Sequence, residues 1–186
     1  MIEKLVIPSE IRTKRLILRM PNPIYAPAIY EAIVESNLEL SRWLSWANQE
    51  ITLEQAFINA QNAQEAFLSK NDLRYYMFDA SDNFIGSTGL HRIDWNIPKF
   101  EIGFWVRTSA AGQGYVTEAV NGLTALAFQK FNANRVEIRC DENHMKSRAI
   151  AEKTGFLLEG ILRNDTMTPE GKLRNTAVYS RIEGWI

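Results

Sequence analysis

What this chain lacks narrows it first. Cysteine occurs once, at Cys140, so no intrachain disulfide can brace the fold. The only two histidines, His91 and His144, are too few and too isolated for a histidine-based metal site, and no metal is expected. Neither sign of charge dominates: 21 Lys and Arg face 22 Asp and Glu, for a net charge of −1. That balance argues against broad electrostatic binding to nucleic acid or to an anionic membrane. No apolar run approaches the length of a membrane span and no leader pattern is visible, so the expectation is a cytoplasmic protein. Linkers, low-complexity tracts and internal repeats are also absent, which leaves one domain over residues 1–186.

What is present is an ordinary globular composition, 46% hydrophobic and 23% charged, with enough chain to bury a core. Arg15–Met20 reads as a first strand. Pro21, Pro23 and Pro27 then punctuate a turn and a helix start. Ala28–Glu35 and Leu38–Trp46 read as short helices. Thr52 with Gln55 three residues on resembles a capping box, opening a helix that ends near Lys70. Arg74–Phe78 and Asn83–Leu90 read as strands joined by a polar turn, and Phe100–Val106 as a third. The next helix carries Val116, Val120, Leu123, Ala127 and Phe131 on one face. Val136, Ile138 and Cys140 alternate with charged residues, as in a half-buried strand. Ser147–Thr154 is a short helix that Gly155 can end in a left-handed conformation. Phe156–Leu162 and Ala177–Ile182 close the chain as strands. This order predicts an α/β layered fold with a mixed sheet.

The segment from Arg107 to Val120 carries the strongest functional signal. It joins a strand to a helix through a turn of small residues holding Gly112 and Gly114. The first amides of a helix lack intrahelical partners, and its dipole adds partial positive charge there. Two glycines let an anion reach the main chain. The pattern therefore predicts a phosphate or pyrophosphate cradle.

Four ordered segments extend that reading over residues 12–182. They are Thr13-Lys-Arg-Leu-Ile-Leu-Arg19; Leu40-Ser-Arg-Trp-Leu-Ser-Trp46; Glu101-Ile-Gly-Phe-Trp-Val106 with Gly112-Gln-Gly-Tyr-Val-Thr-Glu-Ala119; and Ser147-Arg-Ala-Ile-Ala-Glu-Lys-Thr-Gly-Phe156 with Glu159-Gly160 and Tyr179. Together they resemble the GNAT N-acetyltransferases, and within them the Rim group, which acetylates the N-termini of ribosomal proteins. The resemblance implies a splayed central sheet flanked by helices, with acetyl-CoA wedged where strands Phe100–Val106 and Arg135–Cys140 part. Phe104, Trp105 and Val106 would face the pantetheine, with Asn143 as a further contact. Ala111, Gly112, Gln113, Gly114 and Tyr115 would hold the pyrophosphate. The amine would enter opposite, between the Trp43 and Trp46 region and the last strands.

The chain departs from that pattern at four places. Ser109 stands where Gln or Arg is usual. His144, not Asn, lies three residues before Ser147. Thr166 and Asn175 replace acidic residues on the acceptor side.

Acetyl transfer needs a neutral amine, a polarised carbonyl and a protonated leaving thiolate. Glu101, the only charged side chain in its strand, is the first base candidate; the other reading is a solvated strand-edge residue. Asp165 is a second acidic candidate on the acceptor side, or a surface loop residue. Ser147 matches the serine proposed in the Rim group to protonate the thiolate, and it is equally a helix N-cap. Asn143 could cap the same helix. The Val106 N–H is a candidate polariser of the carbonyl. Trp43 and Trp46 could wall the acceptor channel or pack in the core. Arg107 reads as a phosphate contact or a solvated charge, and Cys140 as a core residue. Three functions stay open: direct acetylation of a protein N-terminus, acetylation of a small amine such as an aminoglycoside, polyamine or amino acid, and non-catalytic CoA binding. A monomer or a homodimer is compatible with each.

Overall fold

A computed structural model describes residues 5–168 and 170–182. Its centre is one eight-stranded sheet. The strands are β1 (Glu10–Arg12), β2 (Leu16–Arg19), β3 (Leu73–Asp79), β4 (Phe84–Asp94), β5 (Lys99–Val106), β6 (Arg135–Asp141), β7 (Leu157–Met167) and β8 (Leu173–Arg181). Their order across the sheet is β1-β2-β3-β4-β5-β6-β8-β7. Every pairing is antiparallel except β5 with β6. Among the described residues the helices are α1 (Ala26–Leu40), α2 (Leu53–Leu68), α3 (Tyr115–Phe131) and α4 (Met145–Lys153).

Period-2 alternation on β3 explains the layers. Leu73, Tyr75 and Met77 join the main core, which includes Val116, Val120, Leu123 and Phe131 of α3. Tyr76 and Phe78 point the other way and pack with Ile29, Ala32 and Ile33 of α1 and Ala60 of α2. A strand buried on both faces must be apolar in nearly every position, and this one is. α2 begins as its capping pattern predicts, with the Gln55 N–H donating to Thr52 Oγ1 at 3.1 Å. Asn132, at φ +50°, closes α3 in the left-handed region, and Gly155, at φ +80°, follows α4 in the same way.

The two short helices expected over 28–46 are one helix, α1, that ends at Leu40. Ser36 and Asn37 look like breaking residues, but each has a tertiary partner. Ser36 Oγ accepts from the Thr108 N–H at 2.9 Å, and Asn37 Nδ2 donates to the Ala47 carbonyl at 2.9 Å. Trp43 and Trp46 therefore do not share a helix: Trp43 lies in the turn after α1, and Trp46 in a 3-10 turn, Ser45–Asn48. Strand β1, three residues long, is too short to show an alternation in the sequence. The last two strands run longer than expected because Thr166 and Met167 pair with Arg174 and Leu173. No helix among the described residues is long and apolar enough to cross a membrane.

Two carboxylates fix the segment between β5 and α3. Glu35 of α1 holds its start: Oε1 accepts from the Ser109 N–H at 2.8 Å, and Oε2 from Arg107 Nε at 2.9 Å and from Arg107 Nη2. Glu118, in the first turn of α3, holds its end. It accepts from the Thr13 hydroxyl and the Arg15 N–H, both at 2.6 Å, and from Arg15 Nε at 2.7 Å. The Arg107 guanidinium outweighs burial and lowers the Glu35 pKa from 4.5 to about 2.

A carboxylate with a depressed folded pKa contributes stability that is complete above its unfolded value and lost as pH falls through the folded one. Glu35→Ala should therefore lower stability by about 1–2 kcal/mol at neutral pH. The gap to wild type should stay constant above about pH 5 and close towards pH 2. Urea unfolding followed across that range checks this; a gap independent of pH would mean that the pair contributes nothing through its charge.

Candidate active site

Strand β5 leaves its parallel partner early. Pairing runs through Lys99↔Arg135, Phe100↔Val136 and Glu101↔Glu137, and then ends. β6 continues beside β8 as far as Asp141↔Thr176, while β5 stays with β4 as far as Gly86↔Val106. The strands thus part with the Ile102–Val106 edge facing a wedge. Main-chain donors and acceptors along such an edge are ready to pair with an extended polar ligand.

The wedge opens into a cleft of about 940 Å³. Its walls are the free end of β5, the turn into α3, the end of β6 and the start of α4. Gly112 and Gly114 have φ of +76° and +80°, a region that L side chains rarely adopt. A Cβ built at Gly112 would meet nothing within 4 Å, so that position opens directly to the cleft side of the turn. No side chain caps α3, since its N-cap residue is Gly114. The amides of its first turn are therefore free of intrahelical and side-chain acceptors, and the dipole favours an anion there. Lys146 and Lys153 line the cleft as well, and Arg139 and Arg174 do so while paired with Asp165 and Asp141. These features fit a pyrophosphate with an extended amide-bearing arm.

Most of the predicted cofactor contacts gather here. Phe104, Trp105, Val106, Ala111, Gly112, Gly114 and Tyr115 line the cleft. Gln113 does not: its carbonyl accepts from Arg15 Nη1 at 2.9 Å, and its side chain donates to the Ser109 carbonyl at 3.3 Å. Asn143 is exposed outside the cleft, and its N–H donates to Asp141 Oδ1 at 2.8 Å. Its neighbour His144 takes the wall position and also the helix cap, with Nδ1 accepting from the Ser147 N–H at 3.4 Å. Ser147 is thus one turn inside α4 and is not its N-cap. Arg107 is committed to Glu35 rather than to phosphate. The basic residue that does stand beside the glycine turn is Arg15, whose Nη2 lies 3.5 Å from the position of a Cβ on Gly114. Arg15 belongs to the first of the four segments, but nothing in its spacing foretold that contact.

Glu101 and Ser147 both line the cleft. Ser147 is buried, and its hydroxyl has no hydrogen-bond partner among the described residues. Glu101 Oε2 is buried and likewise lacks a hydrogen bond. Arg92 Nε approaches it only to 3.5 Å, as an ion pair. Burial raises the Glu101 pKa against the opposing pull of Arg92 and Arg139, so its affinity for a proton moves towards neutral pH. Burial also pushes the Cys140 thiol up to about 11, which keeps it protonated and poorly nucleophilic. Cys140 is half-buried: it packs against the main core and also lines the cleft.

The predicted acceptor residues scatter. Trp43 lines the cleft and stacks on His144, with ring centroids 4.1 Å apart. Its carbonyl accepts from Arg174 Nη1 at 3.1 Å. These contacts bridge the gap between the α1 loop and the last strands, where the amine was expected to enter. Trp46 lines a second cavity, of about 760 Å³, between α1, α2 and the β3–β5 face. Asp165 lines neither cavity; its Oδ2 accepts from Arg139 Nη2 at 3.0 Å. Leu44, Gly103, Phe104 and Trp105 border both cavities, so they meet across β5. Tyr179 has a structural place, its hydroxyl taking a bond from Arg148 at 2.9 Å and giving one to Glu152 at 2.8 Å.

Comparison with known proteins accounts for this geometry. Residues 15–157 match the acetyltransferase (GNAT) domain family. YdaF of Bacillus subtilis (strain 168), provisionally named a ribosomal N-acetyltransferase, is 30% identical over 173 residues, 91% of this chain and 92% of its own. Two solved structures share the fold. The microcin C7 self-immunity acetyltransferase MccE, in complex with acetyl-CoA and AMP, superposes with a TM-score of 0.89 at 22% identity, over 95% of this chain and 97% of its own. RimL, a ribosomal α-N-protein acetyltransferase, in complex with coenzyme A, gives 0.88 at 21% identity, over 93% and 97%. The open seam, the glycine turn and the family match together make this chain a member of the GNAT family, an acetyl-CoA-dependent N-acetyltransferase.

Proposed function

We propose that the acceptor is the α-amino group of a protein N-terminus, a ribosomal protein among the candidates, acetylated by direct attack in a ternary complex. The observation that carries this reading is the second cavity. It reaches β5 from the face opposite α3, encloses about 760 Å³, and meets the acetyl-CoA cleft at Gly103, two residues along β5 from Glu101, whose Oε2 lacks a hydrogen bond. The relatives named for ribosomal N-acetylation support the same class.

In this mechanism the free β5 edge and the turn around Gly112 hold acetyl-CoA, and the Val106 N–H polarises the thioester carbonyl. Glu101 draws a proton from the ammonium. An α-amino group titrates near 7.7–8.0, so a carboxylate with a raised pKa suffices where a Lys ε-amine would ask for more. The neutral amine attacks, and the C–N bond forms as the C–S bond breaks. The Ser147 hydroxyl passes a proton to the departing sulfur and regains one from the amide nitrogen. Trp43 and Trp46 border the two cavities and limit what can approach.

A small amine is the second reading. The bridge from Trp43 to His144 and Arg174 narrows the approach, and the amides of Gln55, Asn59 and Asn62 offer hydrogen bonds to a compact polar substrate.

Titration calorimetry should give micromolar binding of acetyl-CoA and CoA, and Gly112→Asp should abolish it through strain at positive φ and repulsion of phosphate. Unchanged affinity in that variant would remove the turn from the site. Peptides beginning with Ser or Ala should turn over faster than aminoglycosides, polyamines or free amino acids; the reverse ranking selects the small-amine reading. Ser147→Ala should lower kcat by roughly 10- to 100-fold with acetyl-CoA affinity retained, and full activity in that variant would leave thiolate protonation to water.

A further inference from the structure

His91 lies outside every motif in the sequence, yet it lines the second cavity and packs over Gly103, which borders both cavities. Its register partner across the β4–β5 pair is Glu101, so the two side chains share a face of the sheet. The adjoining positions on that face are glycines, Gly89 opposite Gly103. The imidazole occupies the space they leave: a Cβ on Gly89 would come within 2.9 Å of its Cε1, and one on Gly103 within 2.9 Å of its Cδ2 and 3.1 Å of its Nε2. The β4 ladder becomes irregular directly after His91, and Arg92 has φ +46°.

Asp72 fixes the ring. Its Oδ2 lies 2.6 Å from His91 Nδ1. Asp72 is a carboxylate at neutral pH, because His91 and Arg74 outweigh its burial and lower its pKa. The proton of a neutral imidazole therefore belongs on Nδ1, and Nε2 presents a lone pair with no protein partner among the described residues. The second carboxylate oxygen, Asp72 Oδ1, is buried without a hydrogen bond, as is Glu101 Oε2. An imidazole oriented by a carboxylate, beside an underbonded glutamate, is an arrangement for moving protons.

We propose that His91 is the second station of the proton path: it takes from Glu101 the proton that Glu101 draws from the ammonium, and it releases that proton to solvent through the α1–α2 cavity. This deepens the reading of Glu101 given above and rests on it. The balance is closed. The ammonium loses one proton, which passes to Glu101, then to His91 Nε2, then to water. The amine's second proton leaves through Ser147 to the thiolate, and Glu101 and His91 end as they began. Asp72 is a positioning residue that stabilises the imidazolium. The charged groups around the path are Asp72 just before β3, Arg74 on β3, Arg92 on β4, Glu101 on β5, Glu137 and Arg139 on β6 and Glu50 ahead of α2; the α2 wall contributes the neutral amides of Gln55, Asn59 and Asn62.

The test is a pH profile of the full-length enzyme with acetyl-CoA and an N-terminal peptide. His91→Asn should lower kcat about 10- to 100-fold at pH 7 with the acetyl-CoA Kd unchanged. Above about pH 9 the α-amine is already neutral and the defect should shrink towards wild type. Asp72→Asn should give a smaller loss with the same pH dependence. A defect of constant size at every pH, or no defect, overturns the proposal. Imidazole NMR supplies a readout that needs no turnover, because His144 is the only other histidine. The His91 ring should be the Nδ1–H tautomer, and Asp72→Asn should abolish that preference; an Nε2–H ring in the wild type overturns the proposal by itself. A wild type that acetylates no amine would overturn the acceptor reading instead, and the tautomer would still decide the dyad.

Discussion

The structure depends on the hydrogen bonds that β5 does not make. Its ladder with β6 stops after Glu101↔Glu137. Left dry, the peptide groups beyond that point would cost about 1–3 kcal/mol each, so the seam exists only because a cleft keeps it wet or a ligand can fill it. Everything around it serves to hold that seam open. β4 secures the other edge of β5 as far as Val106, β8 secures the far edge of β6, and the two hydrophobic layers clamp the sheet from above and below. In the proposed complex the ligand stands in for a strand, and the sheet continues on both sides of it.

Charge keeps the glycine turn in place without spending its amides. Glu35 and Glu118 sit near the anion cradle, where a bare carboxylate would repel phosphate. Both are neutralised by what they hold: Arg107 and the Ser109 amide in one case, Arg15 and Thr13 in the other. The turn is anchored from behind by α1 and by the connection between β1 and β2, so its front remains available. At Ser109 the main-chain N–H is bound by Glu35, so this amide belongs to the anchor and not to the cradle.

Much of the fold was legible because it rests on periodicity and punctuation. The α3 stripe, the Thr52 cap, the alternation in β6 and the left-handed Gly155 all lie where local pattern put them. The glycine turn beside the cleft was legible for a related reason: a main-chain turn at positive φ leaves a compositional trace of glycines and small residues. What escaped detection was set by contacts between distant segments. α1 runs through Ser36 because Thr108, seventy-two residues away, takes up its hydroxyl. His144 displaces Asn143 because the cap geometry of α4 chooses it. Trp46 and Asp165 left the cleft once the α1 loop and β7 were placed. His91 was invisible because its position comes from two glycines on different strands, and no window of sequence contains both.

The open seam also makes stability a function of metabolite concentration. A partner that binds only the folded chain adds RT ln(1 + [L]/Kd), about 2.7 kcal/mol at one hundred times Kd. Acetyl-CoA and CoA both carry a pyrophosphate and an amide-bearing arm, so under the proposed binding mode either one closes the seam. The protein is then most open to proteolysis and aggregation when the whole coenzyme pool is depleted, not when the acetylated fraction alone falls. The fraction of chains surviving a thermal or proteolytic challenge becomes a gauge of total coenzyme, separate from the rate at which acetyl groups are transferred.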